Sequence, residues 1–438
     1  MQKIGIGLLG LGTVGSGVVT ALSCNRQEIR GKLKAELEIR RILVRDPGKA
    51  RPVEVARDLL TTDFGQIAAD PSIQIVVDAM GGTDPARQYI LAALAKGKHV
   101  VTANKEVVAK YGREILAEAE KHGTGFCFEA SVGGGIPVIR PLKESLAADK
   151  VEEVLGIING TTNYILSKMA SEGKEFNLTL QEAQEKGYAE PDPTNDVEGF
   201  DAAYKLAILT ALAFGTPVKF EDISFEGIRR IAREDMAWAS ELGYVIKLVA
   251  AAKERESGLE AWVSPCLLPL EHPLAQVNDV FNGILIKGNL AGELLFTGRG
   301  AGGLPTASAV AADIMAVAQK VLTGQAAGPV CTCYRAKPVL PKEEVTGRYY
   351  LRVKVKKGDA ALPVNNLLIQ ERIGALPVAK KFQQGKGGTL VYFTQPLQAG
   401  TASRAAAKLG MIPGVQEVSL LRLEGLPAAA AWAAATGK

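Results

Sequence analysis

Two charges in an otherwise apolar segment mark the first chemistry in this chain. Residues 199–214 read GFDAAYKLAILTALAF, the pattern of a buried helix, and its only charged residues are Asp201 and Lys205. At i and i+4 they share one helix face. A buried helix keeps charges only when they are paired or employed. The spacing therefore allows a structural ion pair, or an acid–base couple in which a lysine moves a proton beside a carboxylate. Just upstream, GYAEPDPTND at 187–196 gathers Glu190, Asp192 and Asp196 in a loop stiffened by Pro191 and Pro193. Such a loop could hold a substrate ammonium or could simply be a solvated acidic face. An EF-hand is excluded, because the spaced glycine and terminal Glu of that calcium loop are missing.

A second set of residues concerns phosphate. Gly10-Leu11-Gly12-Thr13-Val14-Gly15 follows an apolar strand pattern, Lys3–Leu9, and opens a helical one. In a dinucleotide-binding turn the first glycine permits the tight bend. The second lets backbone approach the pyrophosphate, and the third lets helix and strand pack closely. The helix N-terminus then offers its unpaired amides to the phosphate charge. The next strand ends at Val44-Arg45-Asp46, with Lys49 and Arg51 close by. There an acidic residue reads the free 2′-hydroxyl of NAD, and an arginine accepts the 2′-phosphate of NADP. Arg45 favours NADP, with NAD as the alternative, since Asp46 before Pro47 also fits a turn. Thr102-Ala103-Asn104-Lys105 closes a later strand, where open α/β sheets bind ligands, and makes Lys105 a candidate cation. Gly298-Arg299-Gly300-Ala301-Gly302-Gly303 precedes an Ala/Val-rich helix and reads as a second backbone cradle or as a hinge.

The elements that must position these residues follow from periodicity. Strand patterns at 3–9, 38–44, 73–79, 98–103 and 125–129 alternate with helical ones. That alternation predicts an α/β fold, a Rossmann-type parallel sheet covered on both faces. From about 136 the alternation stops. Helical patterns at 138–147, 163–171, 180–186, 201–214 and 233–242 precede a β-rich stretch over 244–286, as expected of an α+β domain. After a charged, Pro-bearing segment come a strand at 349–355, a helix at 364–373, a strand at 389–394, a helix at 401–409 and a strand at 415–423. This order fits a βαββαβ unit with one strand poorly marked. The expected domains are 1–135, with a helix near 306–321 packing back on it, then 136–336, a linker at 337–348, 349–425, and a tail at 426–438.

Composition narrows the function class. A length of 438 residues argues for two to four domains. An apolar fraction of 47% with 22% charged residues excludes a disordered or fibrous chain. A net charge of +4 gives no case for nucleic acid, and 14 Lys+Arg against 6 Asp+Glu in 339–438 read as a solvated basic face. No apolar run reaches the roughly 18 residues of a membrane span. The N-terminus is too Gly-rich for a signal h-region. The sparse cysteines (Cys24, Cys127, Cys266, Cys331 and Cys333) suggest a reducing compartment. Cys331 and Cys333 have no nearby histidines, which argues against zinc.

Taken together, GLGTVG (10–15), TANK (102–105), EASVGGGIP (129–137), NGTTNYIL (159–166), GYAEPDPTND (187–196), GFDAAYK (199–205) and GRGAGGLPTASAV (298–310) resemble the homoserine dehydrogenases, in family order and over nearly the whole chain. The resemblance implies NAD(P)-dependent interconversion of L-homoserine and L-aspartate 4-semialdehyde, in threonine and methionine biosynthesis, by a cytoplasmic homodimer or dimer of dimers. It implies that Lys205 is the proton donor and acceptor, Lys105 a second active-site lysine and Asp201 their partner carboxylate. Gly187 and Glu190 match substrate binders, with Asp196 and Thr161 beside them. Thr13, Val14, Lys105 and Gly302 match nucleotide contacts and join Gly10, Gly12, Gly15 and Arg45. Glu129, Val132, Gly134 and Ile136 match a monovalent-cation site, mostly backbone carbonyls, usually occupied by sodium.

The C-terminal region resembles a regulatory ACT domain. There Lys357-Gly358-Asp359-Ala360-Ala361-Leu362-Pro363 replaces the Asp-x-Pro-Gly-Val-like turn of that family's ligand loop. No residues remain for a fused aspartate kinase. A phosphorylating aldehyde dehydrogenase is the rival enzyme, but it needs an exposed cysteine near a histidine base, and Cys127 falls within a strand pattern. A dinucleotide- or amino-acid-sensing regulator is the non-enzymatic alternative, and the intact Asp201, Lys205 and Glu190 speak against it.

Overall fold

A computed structural model describes residues 1–325, 335–356, 360–383 and 387–425. Cys331, Cys333, positions 357–359 of the ACT-like loop and the tail at 426–438 lie outside the described residues. The chain forms two compact units. The first comprises Met1–Val154, Tyr204–Phe220 and Asn282–Lys337, and the second Leu155–Ala203, Glu221–Phe281 and Pro338–Lys438.

The first unit contains a six-stranded sheet in the order Leu60–Thr61, Glu36–Leu43, Lys3–Leu9, Ile73–Asp78, His99–Thr102, Phe126–Cys127. All its pairings are parallel. The central strand is buried from Ile4 to Leu9, which explains its continuous apolar run. Helix Gly303–Thr323 buries Ala307, Val310, Ile314 and Val317 in the same core as Ile4, Ile6 and Val18. Each such fully buried Ile or Val contributes roughly 1.5–3 kcal/mol. This helix starts against helix Thr13–Cys24, where a Cβ at Gly17 would lie 2.4 Å from the Gly303 carbonyl oxygen.

Three elements of this unit depart from the expectation. Helix Arg26–Leu33 is largely polar and buries only Ile29, so it carries no apolar stripe. Strand Gly292–Arg299 has no fully buried residue; half-buried Gly292, Leu294, Phe296 and Gly298 alternate with exposed Glu293, Leu295, Thr297 and Arg299, and the glycines and Leu295 blur that alternation in the sequence. The helix expected over 138–147 is instead a π-turn at Pro141–Ser145, in which the Leu146 N–H donates to the Pro141 carbonyl at 2.8 Å. The proline ring and its missing N–H displace the regular i→i−4 ladder.

In the second unit, strands Tyr244–Arg255 and Gly258–Pro269 form an antiparallel hairpin. Cys266 and Leu267 of the hairpin pair in parallel with Arg422 and Leu423 of strand Val415–Leu423. That strand is antiparallel to Thr346–Val355, which is antiparallel to Gly387–Thr394, which in turn pairs with Ala375–Gln383. Helices Ala361–Gln370 and Ala399–Gly410 bury Val364, Leu368, Ala405 and Leu409 against Leu351, Val353 and Tyr392 of this sheet. The result is a βαββαβ arrangement. The poorly marked strand is Ala375–Gln383, the outermost one, and its register shifts between Pro377 and Ala379. Proline is tolerated there because an edge strand has a non-pairing side. The expected linker is itself paired. Leu259 N–H donates to the Pro338 carbonyl and Leu340 N–H to the Leu259 carbonyl, both at 2.8 Å.

A buried ionic network joins helix Arg233–Glu241 to the C-terminal sheet. Arg352, fully buried in mid-strand, donates from Nε to Asp235 Oδ1 at 2.6 Å and from Nη2 to Glu417 Oε1 at 2.6 Å. The Tyr350 hydroxyl donates to the same Asp235 oxygen at 3.2 Å. Burial opposes the Arg352 charge, but Asp235 and Glu417 outweigh it and hold the guanidinium above its ordinary range. Asp235→Ala should destabilise the protein by about 3–5 kcal/mol, because it strands a buried cation. The pair Asp235→Leu with Arg352→Met should cost markedly less. Thermal unfolding of the two variants checks the difference.

Candidate functional site

Gly10 takes φ +95°, which only glycine adopts without strain. A Cβ at Gly15 would lie 2.1 Å from the Gly10 carbonyl oxygen, so the third glycine is a packing requirement. Gly12 and Thr13 are exposed at the head of their helix. A cavity of about 860 Å³ borders Gly12, Thr13, Arg45, Lys49, Arg51 and Met80. Its size and donors fit a bound dinucleotide, with helix N–H groups for the pyrophosphate and three cations at the far strand end. The Asp46 carboxylate instead accepts the Gly48 N–H at 2.7 Å and closes a turn.

The strand end bearing Lys105 is held by a buried carboxylate. Asp78 is fully buried and pairs in register with Thr102. It accepts the Met80 N–H at 3.0 Å and the Thr102 hydroxyl at 2.8 Å. The Thr102 oxygen accepts the Asn104 N–H at 3.0 Å. The Asn104 side chain caps helix Lys105–Lys121 through the Val107 N–H at 3.2 Å and donates to the Gly82 carbonyl at 2.7 Å. Lys105 therefore opens a helix whose first turn is tied to the loop at 80–82, and Met80 of that loop lines the dinucleotide cavity. Lys205 is 9% exposed and Asp201 5%, one turn apart on helix Phe200–Phe214.

Glu129 is also buried, but its carboxylate is spent on the main chain. It accepts the N–H groups of Val138, Ile139 and Arg140 at 2.6, 2.8 and 2.8 Å. Asp313 accepts the Glu129 N–H at 2.8 Å and pairs with Arg140 at 2.8 Å. The loop at 132–136 is thus fixed from one end. At the other, the Gly135 N–H donates to the Arg299 carbonyl at 3.1 Å. Val132, Gly134 and Ile136 are buried in this loop, which fits a site built from main-chain oxygens rather than carboxylates. Among the described residues, no group of three His, Cys, Asp or Glu side chains could hold a metal.

In the second unit Asn159 is a hub that sequence reasoning missed. Its Nδ2 donates to Asp196 at 2.7 Å and to Asp201 at 2.9 Å, while its Oδ1 caps helix Gly160–Glu172 through the Thr162 N–H at 2.8 Å. An asparagine directly before a Gly-Thr-Thr helix start was the available signal. The Thr161 hydroxyl donates to the Tyr188 carbonyl at 2.7 Å, and Gln184 donates to the Glu190 carbonyl at 3.1 Å. These bonds tether the acidic loop while the Gly187 and Glu190 positions remain exposed. Lys247, also missed, is buried in strand Tyr244–Arg255. Burial lowers it to about 8, and it donates to the Val277 carbonyl at 2.7 Å and to Asn278 at 2.9 Å. A lone lysine in YVIKLVA is the same signal that exposed Lys205. Burial pushes the Cys127 thiol up to about 12, the reverse of an activated nucleophile, which removes the aldehyde dehydrogenase rival's chemistry.

Burial raises the Asp78 carboxyl to about 6 from an ordinary 3.8, although the Met80 N–H and Thr102 hydroxyl oppose the shift. With the folded value above the unfolded one, the stabilising contribution is complete below pH 3.8 and is lost as pH rises through about 6. Wild-type protein should lose roughly 3 kcal/mol across this window that Asp78→Asn does not lose. Thermal unfolding of both proteins between pH 4 and 7 measures it.

The comparisons with known proteins bear on both units. The family model for homoserine dehydrogenase matches residues 137–315, and the model for its NAD-binding domain matches 10–129. A homoserine dehydrogenase of Synechocystis sp. is 47% identical, covering 80% of this chain and 83% of its own. The crystal structure of a homoserine dehydrogenase from Thiobacillus denitrificans superposes with TM-score 0.89 at 40% identity, covering 97% of this chain and 99% of its own. A hyperthermophilic archaeal homoserine dehydrogenase in complex with NADPH gives TM-score 0.62 at 29% identity, covering 73% of this chain and 98% of its own.

Proposed function

The chain belongs to the homoserine dehydrogenase family, and we propose that Lys205 carries the proton as it interconverts L-homoserine and L-aspartate 4-semialdehyde with a nicotinamide dinucleotide. The observation that carries this reading is the near-complete burial of Asp201 and Lys205, one turn apart on an apolar helix. When bound, the nicotinamide supplies or accepts the hydride. Lys205 as an ammonium polarises the aldehyde oxygen and delivers the proton in reduction; as a neutral amine it takes the hydroxyl proton in oxidation. Asp201 is the partner carboxylate of Lys205, and Lys105 adds a second positive charge beside the developing alkoxide.

Glu190, with Gly187, holds the substrate ammonium on a loop tethered through Thr161, and Asp196 is fixed to Asp201 by Asn159. Gly10, Gly12, Thr13, Val14, Gly15, Lys105 and Gly302 hold the dinucleotide. Arg45 takes a 2′-phosphate and makes NADP the preferred form, with Lys49 and Arg51 lining the same cavity. The carbonyl oxygens of Glu129, Val132, Gly134 and Ile136 hold a monovalent cation, sodium. The enzyme serves threonine and methionine biosynthesis in the cytoplasm as a homodimer or dimer of dimers. Residues 1–135 bind the dinucleotide, 136–336 the substrate, and 349–425, beyond the segment 337–348, form the ACT-like domain.

Lys205→Ala should lower kcat by about 10²–10⁴-fold with dinucleotide affinity retained; a variant at the wild-type rate would remove the assignment. Arg45→Ala should raise the KM for NADPH while leaving that for NADH nearly unchanged. A preserved preference for NADPH in steady-state kinetics would reject Arg45 as the phosphate reader.

A further inference from the structure

Asn282 is the second residue of strand Phe281–Gly288 and is 1% exposed. Among the described residues, neither its amide oxygen nor its amide nitrogen has a hydrogen-bond partner. Buried side-chain amides are nearly always paired, because an unpaired one has lost its water without replacement. Its neighbours indicate what completes it. The amide occupies the space of a Gly300 Cβ, which would lie 1.9 Å from Nδ2 and 2.6 Å from Oδ1. The Gly300 carbonyl oxygen lies in turn 2.4 Å from where a Gly134 Cβ would stand. Ile284, two residues along and so on the same strand face as Asn282, approaches a Gly133 Cβ position to 3.5 Å. Asn282, the 299–301 turn and the 133–135 loop therefore meet at one place.

The chemistry of that place is neutral oxygen. The Glu129 carboxylate is taken up by the N–H groups of residues 138–140. A divalent ion calls for carboxylates, whereas carbonyl-type oxygens suit a hard monovalent cation. We propose that Asn282 Oδ1 is a further ligand of the monovalent cation, adding a side-chain oxygen from a strand to the carbonyls of the 129–136 loop. The inference rests on the cation reading above, and it assigns Asn282 a role separate from the proton and hydride chemistry.

The test is thermal unfolding of the full-length protein titrated with NaCl against choline chloride at constant ionic strength. Wild type should show sodium-specific stabilisation. Asn282→Leu, similar in size but without the oxygen, should raise the apparent Kd for sodium at least about tenfold. Asn282→Asp, which keeps an oxygen in place and adds a negative charge against the cation, should lower it. A wild-type Kd in Asn282→Leu overturns the proposal and leaves the cation reading intact. Absence of sodium-specific stabilisation in wild type overturns both. Should Asn282→Leu fail to fold, Asn282→Asp decides alone: a lowered Kd for sodium supports the ligand role, and an unchanged or raised one overturns it.

Discussion

Helix Gly303–Thr323 reaches the N-terminal sheet because two glycines let main chain meet main chain. Gly17 stands against the Gly303 carbonyl at a distance no side chain would permit. Some three hundred residues apart in sequence, the two helices then share Val18, Val310 and Ile314 in one core. Both Gly-rich loops lead into these helices, so the nucleotide turn and the GRGAGG turn are anchored to one packed core. Core packing resists small displacements. The loops inherit that resistance, and this suits a site that must hold a hydride donor to a fraction of an ångström.

Several buried charges among the described residues are held by neutral partners. Asn159 spans two carboxylates, Asp78 is held by a hydroxyl and an amide, and Lys247 is held by carbonyls. Arg352 and Asp235 form a buried ion pair of the direct kind. The difference has a physical reason. Hydrogen bonds from neutral groups fix a titratable side chain in place and bias its charge state by less than a full opposite charge does. A direct opposite charge in the interior locks the charge state, which suits a structural tie such as Arg352 with Asp235.

The parallel sheet was legible because its central strands, Lys3–Leu9 and Ile73–Asp78, are buried on both faces and read as nearly unbroken apolar runs. The βαββαβ order was legible except at Ala375–Gln383, an edge strand with a proline at a register shift. Arg26–Leu33 buries only Ile29, and in Gly292–Arg299 two glycines on the half-buried face and Leu295 on the exposed one blur the alternation. Among site residues, Asp201 and Lys205 stood out because charge is rare in an apolar helix. Asn159, Arg140, Asp313 and Asn282 did not, since their importance lies in partners distant in sequence or, for Asn282, in the lack of one. Glu129 illustrates the remaining gap. Its carboxylate caps a turn, because three consecutive amides beyond Pro137 needed an acceptor, and nothing in the local sequence marks that use.

The C-terminal sheet is attached to the substrate-side hairpin by backbone as well as by side chains. Strand Val415–Leu423 lies alongside Cys266 and Leu267, the Glu424 N–H donates to the Leu267 carbonyl, Lys253 pairs with Glu424, and Arg422 stacks on Trp262 at 4.2 Å. Trimming the chain before residue 338 would therefore not release an independent appendage. It would bare a strand edge with its peptide groups unsatisfied and an indole face open to water, the features that drive intermolecular strand addition. A shortened version of this protein would need a redesigned rim along Gly258–Pro269 before it could remain dispersed.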